Sequence, residues 1–111
     1  MIIAERVLNY IVAGSDVGVA VRLFAPEFDG VSWVCRYQID WPHGRRSGFA
    51  AGLDFVQALN LTMQKIGFDI YTSEYHATGR LAWEKQGAGY GFPVPKNARD
   101  VLVGDDREFE G

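Results

Sequence analysis

Cys35, His43 and His76 carry the most reactive side chains in this sequence. A thiol beside an imidazole base is the arrangement of a cysteine nucleophile. The position of Cys35 argues against that role. It shares strand parity with Trp33 and Tyr37, on the face meant for the core. A thiol buried among apolar groups resists ionisation, so Cys35 reads as structural. It is the single cysteine of the chain, which rules out an internal disulfide and agrees with a reducing compartment.

A metal centre needs three or four convergent ligands. "DWPH" offers Asp40 and His43, and "EYH" offers Glu74 and His76. Neither has the spacing of a metal motif, so no metal is expected. His43, in a turn, should face solvent. His76, just past a helix C-terminus, is favoured there by the dipole when charged. "GAGYG" has the glycine content of a phosphate loop, but such loops lead from a strand into a helix N-terminus. Here Pro93 and Pro95 follow at once, so no nucleotide or other cofactor is expected. The glycines instead let the backbone run close along the domain while Tyr90 and Phe92 insert as anchors.

The richest polar cluster is "YTSEYH", residues 71–76. Tyr71, Glu74 and His76, with Tyr90 from the later loop, have the side chains to line a ligand pocket and to perform acid–base chemistry. The competing reading is helix termination, in which hydroxyls take up loose carbonyls and the tyrosine rings cover the end of the sheet.

These residues must be placed by a small domain. The chain has 111 residues, 48% of them hydrophobic and 14% aromatic, enough for one core. No apolar run approaches the roughly 18 residues of a membrane span, and "MIIAERVLNY" lacks the features of a secretory signal. A cytoplasmic protein with no membrane association is the expectation. The net charge of −3 is concentrated in "DDREFE" (105–110), and the remainder carries ten acids and ten bases. That balance lacks the basic footprint of nucleic-acid binding, so no nucleic-acid partner is expected. The division follows: one domain over 1–104 and an acidic tail over 105–111.

Residues 2–13 read as a strand. In 17–25, Val17, Val19, Val21 and Leu23 share one face, and Pro26 closes the strand. "PEFDG" is a loop. In 31–41, Val31, Trp33, Cys35, Tyr37, Ile39 and Trp41 alternate with polar residues, the pattern of an antiparallel sheet with one face buried. "PHGR" turns the chain, and 45–51 return as a fourth strand. Asp54 caps a helix, with Gln57 completing a capping-box pattern. Phe55, Leu59, Met63, Ile66 and Ile70 form its apolar stripe, flanked by Val56, Ala58 and Thr62, and the helix runs through Gly67 to about residue 73. A short fifth strand falls in 79–85, an irregular arm follows, and 98–103 suggest one helical turn. The fold class is α+β: a four-stranded antiparallel meander, one long helix across its apolar face, then a short strand and an irregular C-terminal arm. The edge at which the fifth strand pairs stays open.

The stretches "GLDFVQALNL" (52–61), "YTSEYH" (71–76), "GRLAW" (79–83) and "GYGFPVP" (89–95) give the chain its resemblance to a family of small bacterial proteins of uncharacterised function. In general form these are G-x-D-x-x-Q-A-L, Y-T-S-x-Y-H and G-Y-G-F-P-V-P. The resemblance implies a compact sheet-plus-helix domain and brings no activity with it.

Leu61 and Phe68 face away from the apolar stripe. Seven residues apart, they stack on one line of the helix, with Gln57 and Gln64 beside them. Three covers compete. In the first, the arm lays Phe92, Pro93 or Val94 over the pair. In the second, the pair meets its copy in a homodimer, and in the third a different protein docks there. The open sheet face, with Arg22, Phe24, Arg36 and Gln38, is a second candidate surface. In the absence of a catalytic constellation, the expectation is a non-catalytic protein-interaction module. The alternative is a small-molecule-binding or enzymatic domain using a pocket between 71–76 and 89–95.

Overall fold

Alternating apolar residues dictate the first half of the molecule. A computed structural model describes residues 1–95. Strands β1 (Ile2–Val12) and β2 (Ser15–Phe24) form a long hairpin. After Pro26 the chain re-enters the sheet as the two-residue β3 (Glu27–Phe28), within the segment expected to be loop. β4 (Trp33–Trp41) and β5 (Gly44–Gly52) form the second hairpin. The sheet therefore runs β5-β4-β2-β1, the expected meander, with β3 prolonging the β2 side of β4. The short β6 (Leu81–Ala82) pairs with β1, which settles its edge as the one opposite β5. The expected fifth strand over 79–85 thus shrinks to two residues.

The β4 row keeps its expected face but loses its first member. Cys35, Tyr37, Ile39 and Trp41 are buried. Val31 is instead exposed, outside the strand. The Asp29 carboxylate accepts the backbone N–H groups of Val31 and Ser32, and this local turn competes with the ladder. Those same bonds lower the Asp29 pKa.

Helix α1 spans Phe55–Tyr71 and opens as expected. Asp54 accepts the Gln57 N–H at 2.7 Å. Gln57 reaches back to the Leu53 N–H, one residue before the cap. The helix ends at Tyr71 with Thr72 as C-cap, close to the expected end at about residue 73, and a one-turn α2 (Glu74–Ala77) follows. The buried face is rotated from the expected stripe. Ala58, Thr62, Ile66 and Ile70 point into the core, whereas Leu59 and Met63 are partly covered and Phe55 is exposed. The rotation follows from the size of the residues opposite. On β5 the core-facing positions include Gly48, Ala50 and Gly52. A Cβ on Gly52 would lie 2.5 Å from the Ala58 nitrogen, and one on Gly48 would meet the Tyr37 ring. Only small side chains allow so close an approach, and Ala58 and Thr62 supply the helix half of it. Thr62 satisfies its buried hydroxyl by donating to the Cys35 carbonyl at 3.0 Å.

The arm closes the other flank of the helix. Tyr90, Phe92 and Val94 are buried. A Cβ on Gly67 would collide with the Pro93 carbonyl oxygen, so glycine is required where the arm crosses, and the helix continues through it at about 1 kcal/mol relative to alanine. Arg6 donates to the Tyr90 carbonyl at 3.1 Å and lies 3.7 Å from the Trp83 ring centroid. The expected turn at 98–103, the boundary at 104 and the acidic tail lie outside the described residues. Among those described, no helix is long and apolar enough to cross a membrane.

Candidate functional site

Three of the four residues expected to line a pocket come together. The ring centroids of Tyr71 lie 4.9 Å from His76 and 5.2 Å from Tyr90. His76 Nδ1 and the Tyr90 hydroxyl share a hydrogen bond of 2.6 Å, and Tyr90 donates to the Leu81 carbonyl. The rings fill one another's space. Burial lowers the His76 pKa below 6.5, so the imidazole is held neutral and not, as expected, favoured in its charged form. Desolvation outweighs the dipole of a short terminal turn. Glu74 diverges from the group, with its carboxylate exposed and 3.9 Å from His43 Nδ1. Thr72 and Ser73 donate to the Phe68 and Ile70 carbonyls at 2.8 and 2.7 Å, as helix termination requires. The adjoining cavity, lined by His76, Leu81, Ala82 and Tyr90 among others, holds about 170 Å³. Ligand pockets typically run from roughly 300 Å³ upward.

The larger concavity is on the other side of α2. A groove of about 670 Å³ runs between the β4–β5 turn and the C-terminal end of α1, with His43, Arg45, Arg46 and Ser47 on one wall and Phe68, Asp69, Glu74 and Tyr75 on the other. Its aromatic end is rigid. Trp41 and Tyr75 stack with centroids 5.0 Å apart, and Tyr10 meets Tyr75 edge-on. His43 Nδ1 and the Tyr75 hydroxyl share a 2.6 Å hydrogen bond. His43 is exposed as expected, yet it is tethered. Asp69 ties helix to sheet, since one carboxylate oxygen accepts from the Tyr37 hydroxyl and from Arg46 Nε, the latter at 2.8 Å. Burial, reinforced by Asp69, raises the Tyr37 pKa. Arg45 Nε donates to Asp40 at 2.6 Å. Together with Arg22 it depresses the Asp40 carboxyl to about 2.

These bonds give the groove fixed walls. Arg46 and Asp69 are spent on holding β5 against α1, and Arg45 is spent on Asp40 of the neighbouring β4. Among the described residues no group of three or more metal-ligating side chains converges. Cys35 is fully buried, its thiol donating to the Phe24 carbonyl, and burial raises its pKa.

Leu61 and Phe68 are not covered by Phe92, Pro93 or Val94 of the arm, the first of the three expected covers. The arm crosses at Gly67, on a different line of the helix, and leaves them 37% and 43% exposed. They lie on the same side as Lys65, whose ammonium donates to the Phe49 carbonyl of β5 at 3.1 Å. The pair therefore overlooks the outer edge of β5, and Phe68 also lines the groove. Of the two glutamines beside them, Gln57 is engaged as a cap; Gln64 is partly buried. A second apolar surface lies at the start of β4. The Phe28, Trp33 and Phe55 rings are linked at 5.7 and 5.9 Å, beside the exposed Leu53 and Val56.

Sequence reasoning missed Trp41, Arg46 and Asp69 as site residues. A signal was present for two of them. Arg46 has core-facing parity opposite Ile39, and Asp69 lies between the core residues Ile66 and Ile70. A charge in each place requires a partner, and each is the other's.

The antiparallel sheet, crossing helix and groove define a small α+β domain. Residues 4–94 match the family described as Domain of unknown function (DUF6968), and the chain belongs to that family. No curated protein and no solved structure matches the chain.

Proposed function

We propose that the domain is a non-catalytic protein-interaction module whose contact surface is the groove together with the adjoining β5 edge. The observation that carries this reading is Phe68. It is a large aromatic side chain, exposed at the junction of a preformed groove and an unpaired strand edge, and flanked by Leu61. Exposed aromatic anchors beside preorganised polar walls are the anatomy of a protein-binding hot spot. A small-molecule site between 71–76 and 89–95 is the lesser reading, because Tyr71, His76 and Tyr90 occupy that space themselves.

The test is affinity capture from native lysate with the wild-type chain and with Leu61→Asp and Phe68→Asp, paired with a measurement of mass against concentration. The reading expects a saturable partner, or self-association, that both substitutions reduce at least tenfold while thermal stability holds. A strictly monomeric chain recovering nothing, or a partner indifferent to both substitutions, would overturn it.

A further inference from the structure

We infer that the outer edge of β5 is a strand-addition site for an extended, acidic segment of a partner protein. The inference rests on the protein-interaction reading and specifies its mode and the partner's chemistry. All nine residues of β5 pair with β4, and no strand among those described lies on the other side. The Phe49 carbonyl points outward, since Lys65 donates to it. By the pleat, the peptide groups of Arg45, Ser47 and Ala51 point outward as well. A row of outward amides at one edge is a template for another strand.

The flanks of that edge supply the selectivity. Above it, on the helix side, are Leu61 and Phe68; on the open face is Phe49, 56% exposed. An added strand would be gripped from both faces, its alternate side chains meeting apolar groups on each. The charges nearest mid-edge are Lys65 and Arg36, the latter directly opposite Phe49. Neither makes a direct ion pair among the described residues, though Arg36 also acts through space on the Asp29 carboxylate. Arg45 and Arg46, by contrast, are matched by Asp40 and Asp69. In a chain of net charge −3, this edge is locally cationic. A second copy pairing symmetrically about mid-β5 would bring Lys65 and Arg36 towards their own images, which disfavours it. A strand carrying glutamate or aspartate would take both cations and release the Phe49 carbonyl from Lys65.

Lys65 would also restrain this edge from propagating. A lysine over an outward carbonyl is a guard against indiscriminate pairing, and one that an acidic strand removes.

Hydrogen exchange on the full chain tests the inference, with a ten-residue peptide alternating glutamate and valine as probe and its lysine–valine counterpart as control. The acidic peptide should slow exchange at the Arg45, Ser47, Phe49 and Ala51 amides at least tenfold, with the lysine peptide without effect. Lys65→Glu should weaken the acidic peptide and favour the basic one. Ser47→Pro, which removes an outward donor, should abolish protection while the Arg46 and Gly48 amides stay slow. Equal protection by both peptides, or none by either, overturns the inference. Concentration-dependent protection of the edge without peptide would assign it to a second copy and overturn it too. Protection confined to the groove around His43 and Glu74 removes strand addition but leaves the protein-interaction reading standing, whereas a partner indifferent to Leu61→Asp and Phe68→Asp removes that reading itself.

Discussion

Asp40 and His76 show how two ionisable side chains report different parts of the same domain. Asp40 lies on the open sheet face between Arg22 and Arg45, and its folded carboxyl titrates at about 2, against an ordinary 3.8. A depressed acid stabilises the fold fully above its unfolded value, and that contribution is lost as pH falls from about 4 towards 2. Asp40→Asn should therefore flatten the fall in the urea midpoint across that window and change little between pH 5 and 7. His76 acts in the opposite chemical sense and in a higher window. Its folded pKa is lowered by burial, so the unfolded chain binds the proton more readily. Stability is full above about 6.5 and declines as pH falls below it. The melting temperature should drop between pH 7 and 5, and His76→Gln should make it less sensitive to pH across that interval. Chemical type made these residues visible in the sequence. Their partners were not, because Arg22 is 18 residues from Asp40 and Tyr90 is 14 from His76, and only the completed fold sets those distances.

The helix and its neighbours were legible in proportion to how local their signals are. The Asp54 cap and the four long strands depend on adjacent residues, and all are present. The facing of α1 is a two-body matter. Periodicity alone centres the stripe on Phe55, Leu59, Met63, Ile66 and Ile70, of which the last two are buried. Gly52 of β5 draws in the flanking Ala58 and Thr62 in place of Phe55, Leu59 and Met63, because those side chains are smaller at the closest approach. Gly67 belongs to the same account. Its place inside a helix signalled either a stop or a crossing, and the crossing is what the arm makes. Gly67→Ala should gain helix propensity and still destabilise the domain by about 1–3 kcal/mol, since the Pro93 backbone must shift. Urea denaturation would measure it. An alanine variant as stable as the parent would mean that the arm is not seated there.

Across the described residues as a whole, the exposed apolar side chains lie at particular places and are not scattered evenly. One set overlooks β5, another caps the start of β4, and Ile3, Val7 and Ile11 lie along the far hairpin. The sequence marked Leu61 and Phe68 as unplaced, and they remain so among the described residues. It did not show that they border a strand edge with no partner strand among the described residues, because that depends on which strand lies outermost. The meander order decides it: β6 goes to the β1 side, and no described strand lies against the outer edge of β5. The family assignment brings no activity with it, so the surface itself is the guide to experiment.

The seating of Tyr90, Phe92 and Val94 has a consequence for biosynthesis. These side chains belong to the interior, yet they are nearly the last of the described residues to be made. Until they leave the ribosome, α1 lacks the cover that meets it at Gly67, and Arg6, made well before them, has no Tyr90 carbonyl to hold. A nascent chain halted before residue 90 should therefore expose apolar surface that attracts chaperones, and protection from protease should arrive late and in one step.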